Sequence, residues 1–194
     1  MRLPSPKSWL NLFLEKVGYR FVKLESSKTP IQVDMDPGFR PIYEKSKTHT
    51  MTSMANMYAL HKAVQYIADA KITGDIVECG VYKGGSMMIA AMTLESMGDI
   101  DRQLWLYDTY AGMTQPTDRD VDVYGRSARK RWQNAESGGI NTWVMAPLDE
   151  VKSNLYSTAY PRQNMKFVEG EVEETIADSL PETIALLRLD TDFS

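Results

Sequence analysis

Apolar residues recur along this chain first at helical spacing and then in short runs, and the order of the two patterns predicts its architecture. Leu10, Phe13, Leu14, Val17 and Phe21 share one helical face, with Lys7, Lys16, Arg20 and Lys23 between them. A basic amphipathic helix can lie on an anionic membrane, but a short one more often docks or oligomerises, and membrane binding is not expected. Residues 26–48 are rich in Pro, Lys, Ser and Thr and lack periodicity, which predicts a connecting arm. Met57, Leu60, Val64, Ile67 and Ala68 form a second helical stripe ending before Gly74.

A strand is predicted over residues 75–79, running straight into the glycine loop of residues 80–85, after which Ser86 is expected to cap a helix carrying Met87, Met88, Ile89, Met92 and Leu94 and stopping at Gly98. A second strand, residues 103–107, ends at Asp108, and a polar segment follows to about Ile140. The next helix spans residues 148–158, with Leu148, Val151 and Leu155 inward and Pro161 closing it. A third strand, residues 165–168, leads to Gly170 and Glu171, and a fourth, residues 184–189, leads to Asp190. Strands alternating with helices predict an α/β fold with a doubly wound, mostly parallel sheet, because parallel neighbours need a crossover between them. Ligands bind such sheets outside the carboxyl ends of the strands, the edge shared by residues 78–85, Asp108, Gly170, Glu171 and Asp190. The expected organisation is an N-terminal helix and arm over residues 1–49 and the sheet domain over residues 50–194.

Composition narrows the function classes. A chain of 194 residues, 43% apolar and 25% charged, can bury one ordinary core. Its formal charge of −4 offers no basic face for nucleic acid. Cys79 is the only cysteine, so no intrachain disulfide is possible, and with neither a secretory pattern nor a long apolar run the expected location is the cytoplasm.

The glycine loop departs from the G-x-G-x-x-G dinucleotide fingerprint, since three residues separate Gly80 from the pair Gly84 and Gly85. That counts against a nicotinamide-dependent oxidoreductase. Glu78, two residues before the first glycine, suits a ligand with a cationic group better than one bearing phosphates. Asp108 can accept from both hydroxyls of a ribose, or can simply cap a loop. Asp190 and Asp192 alternate in extended chain and so point to one side, an arrangement used for Mg²⁺, or for a solvated strand end. Asp118, Asp120 and Asp122 resemble the start of a calcium loop, but Val123 stands where glycine is required and Arg129 where the closing glutamate belongs, so calcium is rejected. His49 and His61 read as packing or surface residues, the basic run from Arg126 to Arg131 as a solvated helix face, and the methionines as core filling.

Three ordered segments then carry a family likeness: residues 74–85 (GDIVECGVYKGG), 105–113 (WLYDTYAGM) and 187–192 (LRLDTD). From about Thr50 to its last residue the chain resembles the macrocin O-methyltransferase (TylF-type) family. The resemblance implies a class I methyltransferase that moves a methyl group from S-adenosylmethionine to a hydroxyl of a small molecule, often a glycoside, with Mg²⁺ at the acceptor site. The cofactor-binding residues it implies are Glu78, Cys79, Gly80, Tyr82, Gly84, Gly85 and Ser86 for the methionine and ribose part, Asp108 and Thr109 at the ribose, and Gly170 and Glu171 near the adenine. Asp190 matches the first metal ligand and is the expected catalytic residue. In the family the fold continues past the fourth strand, where the general base and the other metal ligands lie. Here the fourth strand is expected to be an open edge that pairs with another chain, as in a homo-oligomer, or aggregates. The alternative to an enzyme is a nucleoside-binding fragment that transfers no methyl group. The polar segment from Thr109 to Ile140 and the N-terminal arm are expected to act as lids over the acceptor.

Overall fold

A computed structural model describes residues 34–121, 124–137 and 140–191 of the chain. The chain divides into two units, and the one described below spans Asp36–Ser194. The helix expected around Leu10 to Phe21, and Asp192, lie outside the described residues.

The stretch expected to be a connecting arm contains a helix, α1 (Phe39–Ser46). Phe39, Ile42 and Ser46 follow one another at i, i+3 and i+7 and are buried, and the Ser46 hydroxyl donates to the Ile42 carbonyl at 2.8 Å. Two apolar anchors in a polar window were too few to register as a stripe. Helix α2 (Met54–Asp69) begins at Ser53, whose hydroxyl accepts from the Asn56 N–H at 3.3 Å, and buries Met57, His61, Val64 and Ile67.

Strand β1 (Asp75–Cys79) leads through the glycine loop into α3 (Gly85–Met97). This helix is capped by Gly84 in a left-handed conformation and not by Ser86, which sits buried in the first turn. Gly85 already has helical geometry, so the start falls before the serine. The helix is apolar nearly all round, as a helix packed on several sides must be. It stops at Gly98, where the Asp99 N–H reaches the Leu94 carbonyl at 3.0 Å.

Strand β2 (Leu104–Asp108) is followed by the polar segment, which holds α4 (Ala128–Ala135) and the small antiparallel pair β3 (Glu136–Ser137) and β4 (Ile140–Asn141). Helix α5 (Leu148–Tyr156) buries Val151 and Leu155, and β5 (Met165–Glu169), the single turn α6 (Val172–Thr175) and β6 (Ile184–Leu189) complete the unit.

The four long strands form one parallel sheet in the order β5-β2-β1-β6, so the α/β class and the parallel pairing are as the sequence predicts. Residues of one parity, among them Ile76, Leu104, Leu106 and Leu186, pack on α2, α3 and α5 in the main core. The opposite face is more thinly covered: Val77, Cys79 and Tyr107 form a smaller cluster with Trp105, Val168 and Val172 of α6. Towards β6 the cover gives out, leaving Leu187 50% and Leu189 68% exposed on an edge strand. Among the described residues no helix is long and apolar enough to cross a membrane.

A cleft at the carboxyl edge of the sheet

The carboxyl ends of all four strands open onto one cleft of about 590 Å³, within the range of small-molecule sites. Of the residues singled out from sequence, Glu78, Gly80, Tyr82, Ser86, Asp108, Thr109, Gly170, Glu171 and Asp190 line it. Cys79, Gly84 and Gly85 do not. Cys79 alternates with Glu78 and so points to the other face of the sheet, where it is buried beside Val77 and Tyr107. Gly84 packs against α5, with Leu155 Cδ2 2.4 Å from where a Cβ would stand. Gly85 lies under the chain entering α2: its N–H donates to the His49 carbonyl at 3.0 Å, and a Cβ would come within 2.6 Å of that oxygen. Gly80 does face the cleft, and its φ of +84° and the Asp190 carbonyl, 2.5 Å from a built Cβ, require a residue without a side chain.

The floor of the cleft is charged. Glu78 is 1% exposed, and its Oε1 accepts from Arg188 Nη1 at 2.7 Å. The same nitrogen lies 2.8 Å from Asp190 Oδ2, and Arg188 Nη2 donates to Thr52 Oγ1 at 3.3 Å. Among the described residues Oε2 of Glu78 makes no hydrogen bond of good geometry, although the Ser86 hydroxyl lies close enough to favour the ionised carboxyl. Burial pushes the Glu78 carboxyl up to about 8; the Arg188 cation pulls against this and the Asp190 carboxylate adds to it.

Asp108 is committed to the loop beside it. Its Oδ2 accepts from the N–H groups of Val81 at 2.6 Å and Tyr82 at 3.0 Å, and its Oδ1 from that of Tyr110 at 2.9 Å. Tyr82 and Tyr110 both have positive φ, 51° and 52°, so the carboxylate holds two side-chain-bearing residues in a backbone region they seldom occupy. The Asp108 carbonyl accepts from the Gly170 N–H at 3.0 Å, which ties the ends of β2 and β5 together.

Thr50, Met51, Thr52, Ser53 and Asn56 border the cleft on one side, and part of the polar segment, from Gly112 to Thr117 with Asp120, borders it on another. The latter is pinned from below: the Trp132 indole donates to the Met113 carbonyl at 2.9 Å, and the Met113 N–H to the Trp143 carbonyl at 3.1 Å. Sequence reasoning missed Arg188 and Thr52. The available signal was Arg188 itself, the one charged residue in an otherwise apolar strand.

Among the described residues no three His, Cys, Asp or Glu side chains come together in a group that could hold a metal, and Asp190 is paired with Arg188. His61 is a packing residue, its Nδ1 2.7 Å from Thr93 Oγ1 and its ring 5.1 Å from that of Phe39.

Known proteins share this plan. A tetracenomycin-derivative methyltransferase of Streptomyces olivaceus, described as 8-demethyl-8-(2,3-dimethoxy-alpha-L-rhamnosyl)-tetracenomycin-C 4'-O-methyltransferase, is 25% identical over 174 residues, 90% of this chain and 64% of that protein. Mycinamicin III 3''-O-methyltransferase of Micromonospora griseorubida is 25% identical over 144 residues, 74% of this chain and 54% of its own length. The solved structure of the O-methyltransferase NovP superposes with a TM-score of 0.61 at 23% identity, covering 74% of this chain and 56% of that one, a likeness of fold. The chain thus spans between about half and two thirds of the curated relatives it matches. The family model that describes macrocin O-methyltransferase (TylF) matches residues 24–194, and the chain belongs to that family.

Proposed function

We propose that this chain is the donor-binding part of an S-adenosylmethionine-dependent O-methyltransferase that acts on a hydroxyl of a small molecule, with sugar-bearing compounds as the acceptor class. The observation that carries the reading is the buried Glu78 carboxyl group on the cleft floor, one oxygen of which lacks a hydrogen bond of good geometry among the described residues. A buried acceptor without a donor is unfavourable. An ammonium group entering the cleft brings both a donor and the opposite charge. S-adenosylmethionine, when bound, supplies a methyl group on a positively charged sulfur.

The residues of the chain bind, orient and enclose. Glu78 Oε2 accepts from the amino group of the donor's amino-acid part. Asp108 spends most of its acceptor capacity on the N–H groups of Val81, Tyr82 and Tyr110, and its remaining position on Oδ1, which has only a long 3.5 Å contact from a Thr109 hydroxyl that also donates to the Gly112 carbonyl at 2.9 Å, accepts from a ribose hydroxyl, fewer than the two expected from sequence. The turn at Gly170 and Glu171 borders the base. In-line methyl transfer needs alignment and exclusion of water above all, and the residues from Met113 to Thr117 that border the cleft supply part of that enclosure. The Mg²⁺ implied by the family resemblance would find only Asp190 among the described residues, already paired with Arg188. The activities of the relatives, at a 4' and a 3'' oxygen, support a glycosidic acceptor.

Calorimetric titration of the chain with S-adenosylhomocysteine and, in parallel, with NADH tests the reading. Micromolar binding selective for the first and weakened in Glu78→Gln is expected. A folded chain that ignores S-adenosylhomocysteine would refute it. Transfer of a labelled methyl group to a panel of glycosides then separates an enzyme from a nucleoside-binding fragment.

A further inference from the structure

Arg188 lies in β6 directly opposite Glu78 of β1 in the parallel ladder. Its guanidinium reaches three neighbours from three parts of the chain: Glu78 Oε1 on the sheet, Asp190 Oδ2 just beyond β6, and Thr52 Oγ1 ahead of α2. The hydrogen bond to Glu78 takes one carboxylate oxygen and leaves the other buried in the floor of the cleft that Glu78 lines, beside the Ser86 hydroxyl and without a hydrogen bond of good geometry among the described residues. A planar guanidinium fixed at three points defines the carboxylate's orientation as a flexible ammonium does not.

We propose that Arg188 is a positioning residue for the methyl donor: acting through Glu78, it holds the carboxylate in the orientation that presents Oε2 to the donor's amino group. This rests on the donor-binding reading above. Arg188 need not touch the donor itself. Without it, burial and the nearby Asp190 charge act on Glu78 unopposed and hold its proton more tightly still; the carboxyl loses the bond that sets its plane and turns to find another partner, and an entering ammonium is less able to draw it into an ion pair.

The test compares two ligands that share the nucleoside and differ in the amino group: decarboxylated S-adenosylhomocysteine, which keeps it, and methylthioadenosine, which lacks it. Both are titrated calorimetrically into the wild type, Arg188→Met, Arg188→Lys, Glu78→Gln and the Glu78→Gln/Arg188→Met double variant, with circular dichroism confirming the fold of each. Arg188→Met is expected to lower affinity for the amino ligand by roughly tenfold or more, the scale of one hydrogen bond to a charged group, and to leave methylthioadenosine binding unchanged. Arg188→Lys restores part of the lost affinity. In the Glu78→Gln background, removing Arg188 produces no further loss specific to the amino ligand. If Arg188→Met fails to fold, the double variant, which carries no unpaired buried carboxylate, and Arg188→Lys still decide the matter. Equal loss for both ligands, or no loss for either, overturns the proposal. A wild type that binds neither nucleoside overturns the donor-binding reading itself, and is distinguished by needing no variant.

Discussion

Replacing Asp108 with alanine strips the acceptor from three backbone N–H groups, those of Val81, Tyr82 and Tyr110. Water entering the cleft can replace the bond to Tyr82, which is half-buried, but Val81 and Tyr110 are 4% and 5% exposed. Two unreplaced bonds to a charged acceptor amount to roughly 3–6 kcal/mol. Against this, freeing Tyr82 from its left-handed conformation recovers about 1–2 kcal/mol; Tyr110 stays where it is, since its hydroxyl donates to the Leu106 carbonyl at 2.8 Å. The net expectation is a loss of about 1–5 kcal/mol, a large share of the roughly 5–15 kcal/mol that stabilises ordinary domains. Urea unfolding followed by circular dichroism measures it, with an unchanged m-value showing that the same surface is exposed. Asp108→Asn, which keeps one carbonyl oxygen, should fall between. A loss under about 1 kcal/mol for the alanine variant would mean that the loop holds its shape unaided, and the reasoning would be wrong.

Three further outcomes follow from the same geometry. The folded-state value of Glu78, about 8, lies above the ordinary carboxylate range; the native state therefore binds a proton that the unfolded state has released, and stability relative to Glu78→Gln should fall as pH rises from about 5 through 8, by at most about 1.4 kcal/mol per unit. A stability difference that does not change with pH would contradict this. Lys71, exposed and at φ 53° just beyond α2, occupies a helix-ending position that glycine prefers, with the Ile72 N–H bonded to the Ile67 carbonyl at 2.9 Å; Lys71→Gly should raise stability by about 1 kcal/mol in thermal or urea unfolding. Gly85→Ala forces a methyl group against the His49 backbone, with the carbonyl carbon 2.7 Å away, and should lower stability by about 2 kcal/mol or more, with faster amide exchange at residues 49–53 marking where the chain lifts off.

The four strands of the parallel sheet were legible because each is a short apolar run ended by a polar or glycine residue, and the sheet followed from their alternation with helices; the two-residue strands β3 and β4 carry no such run. Helix α1 was not, since its buried face comes down to Phe39, Ile42 and a serine. Helix α4 was legible only as a solvated basic face from Arg126 to Arg131, and its bounds were not, for a related reason: Ala128 is its only buried residue, so it has no apolar stripe to read. The cleft was half legible. Adjacency in sequence grouped Cys79 with Glu78, although the two-residue period of a strand sends them to opposite faces. The same adjacency grouped Gly84 and Gly85 with Gly80, although the turn aims them at α5 and at His49. Thr52 could be placed only by the tertiary structure, because nothing local to residues 50–53 indicates that β6 lies within reach.

The pairing of Arg188 with Glu78 also bears on how the sheet assembles. In a parallel ladder, sliding β6 by one residue along β1 would set Leu187 or Leu189 against Glu78 and strand a buried carboxylate without its cation. An apolar edge strand such as IALLRL carries little other information about alignment, since leucine fits nearly as well one place along. The lone arginine therefore works as a gauge: only one alignment gives the buried Glu78 carboxyl its hydrogen-bond donor, and a chain that folds with β6 misaligned is both less stable and without the paired floor of the cleft.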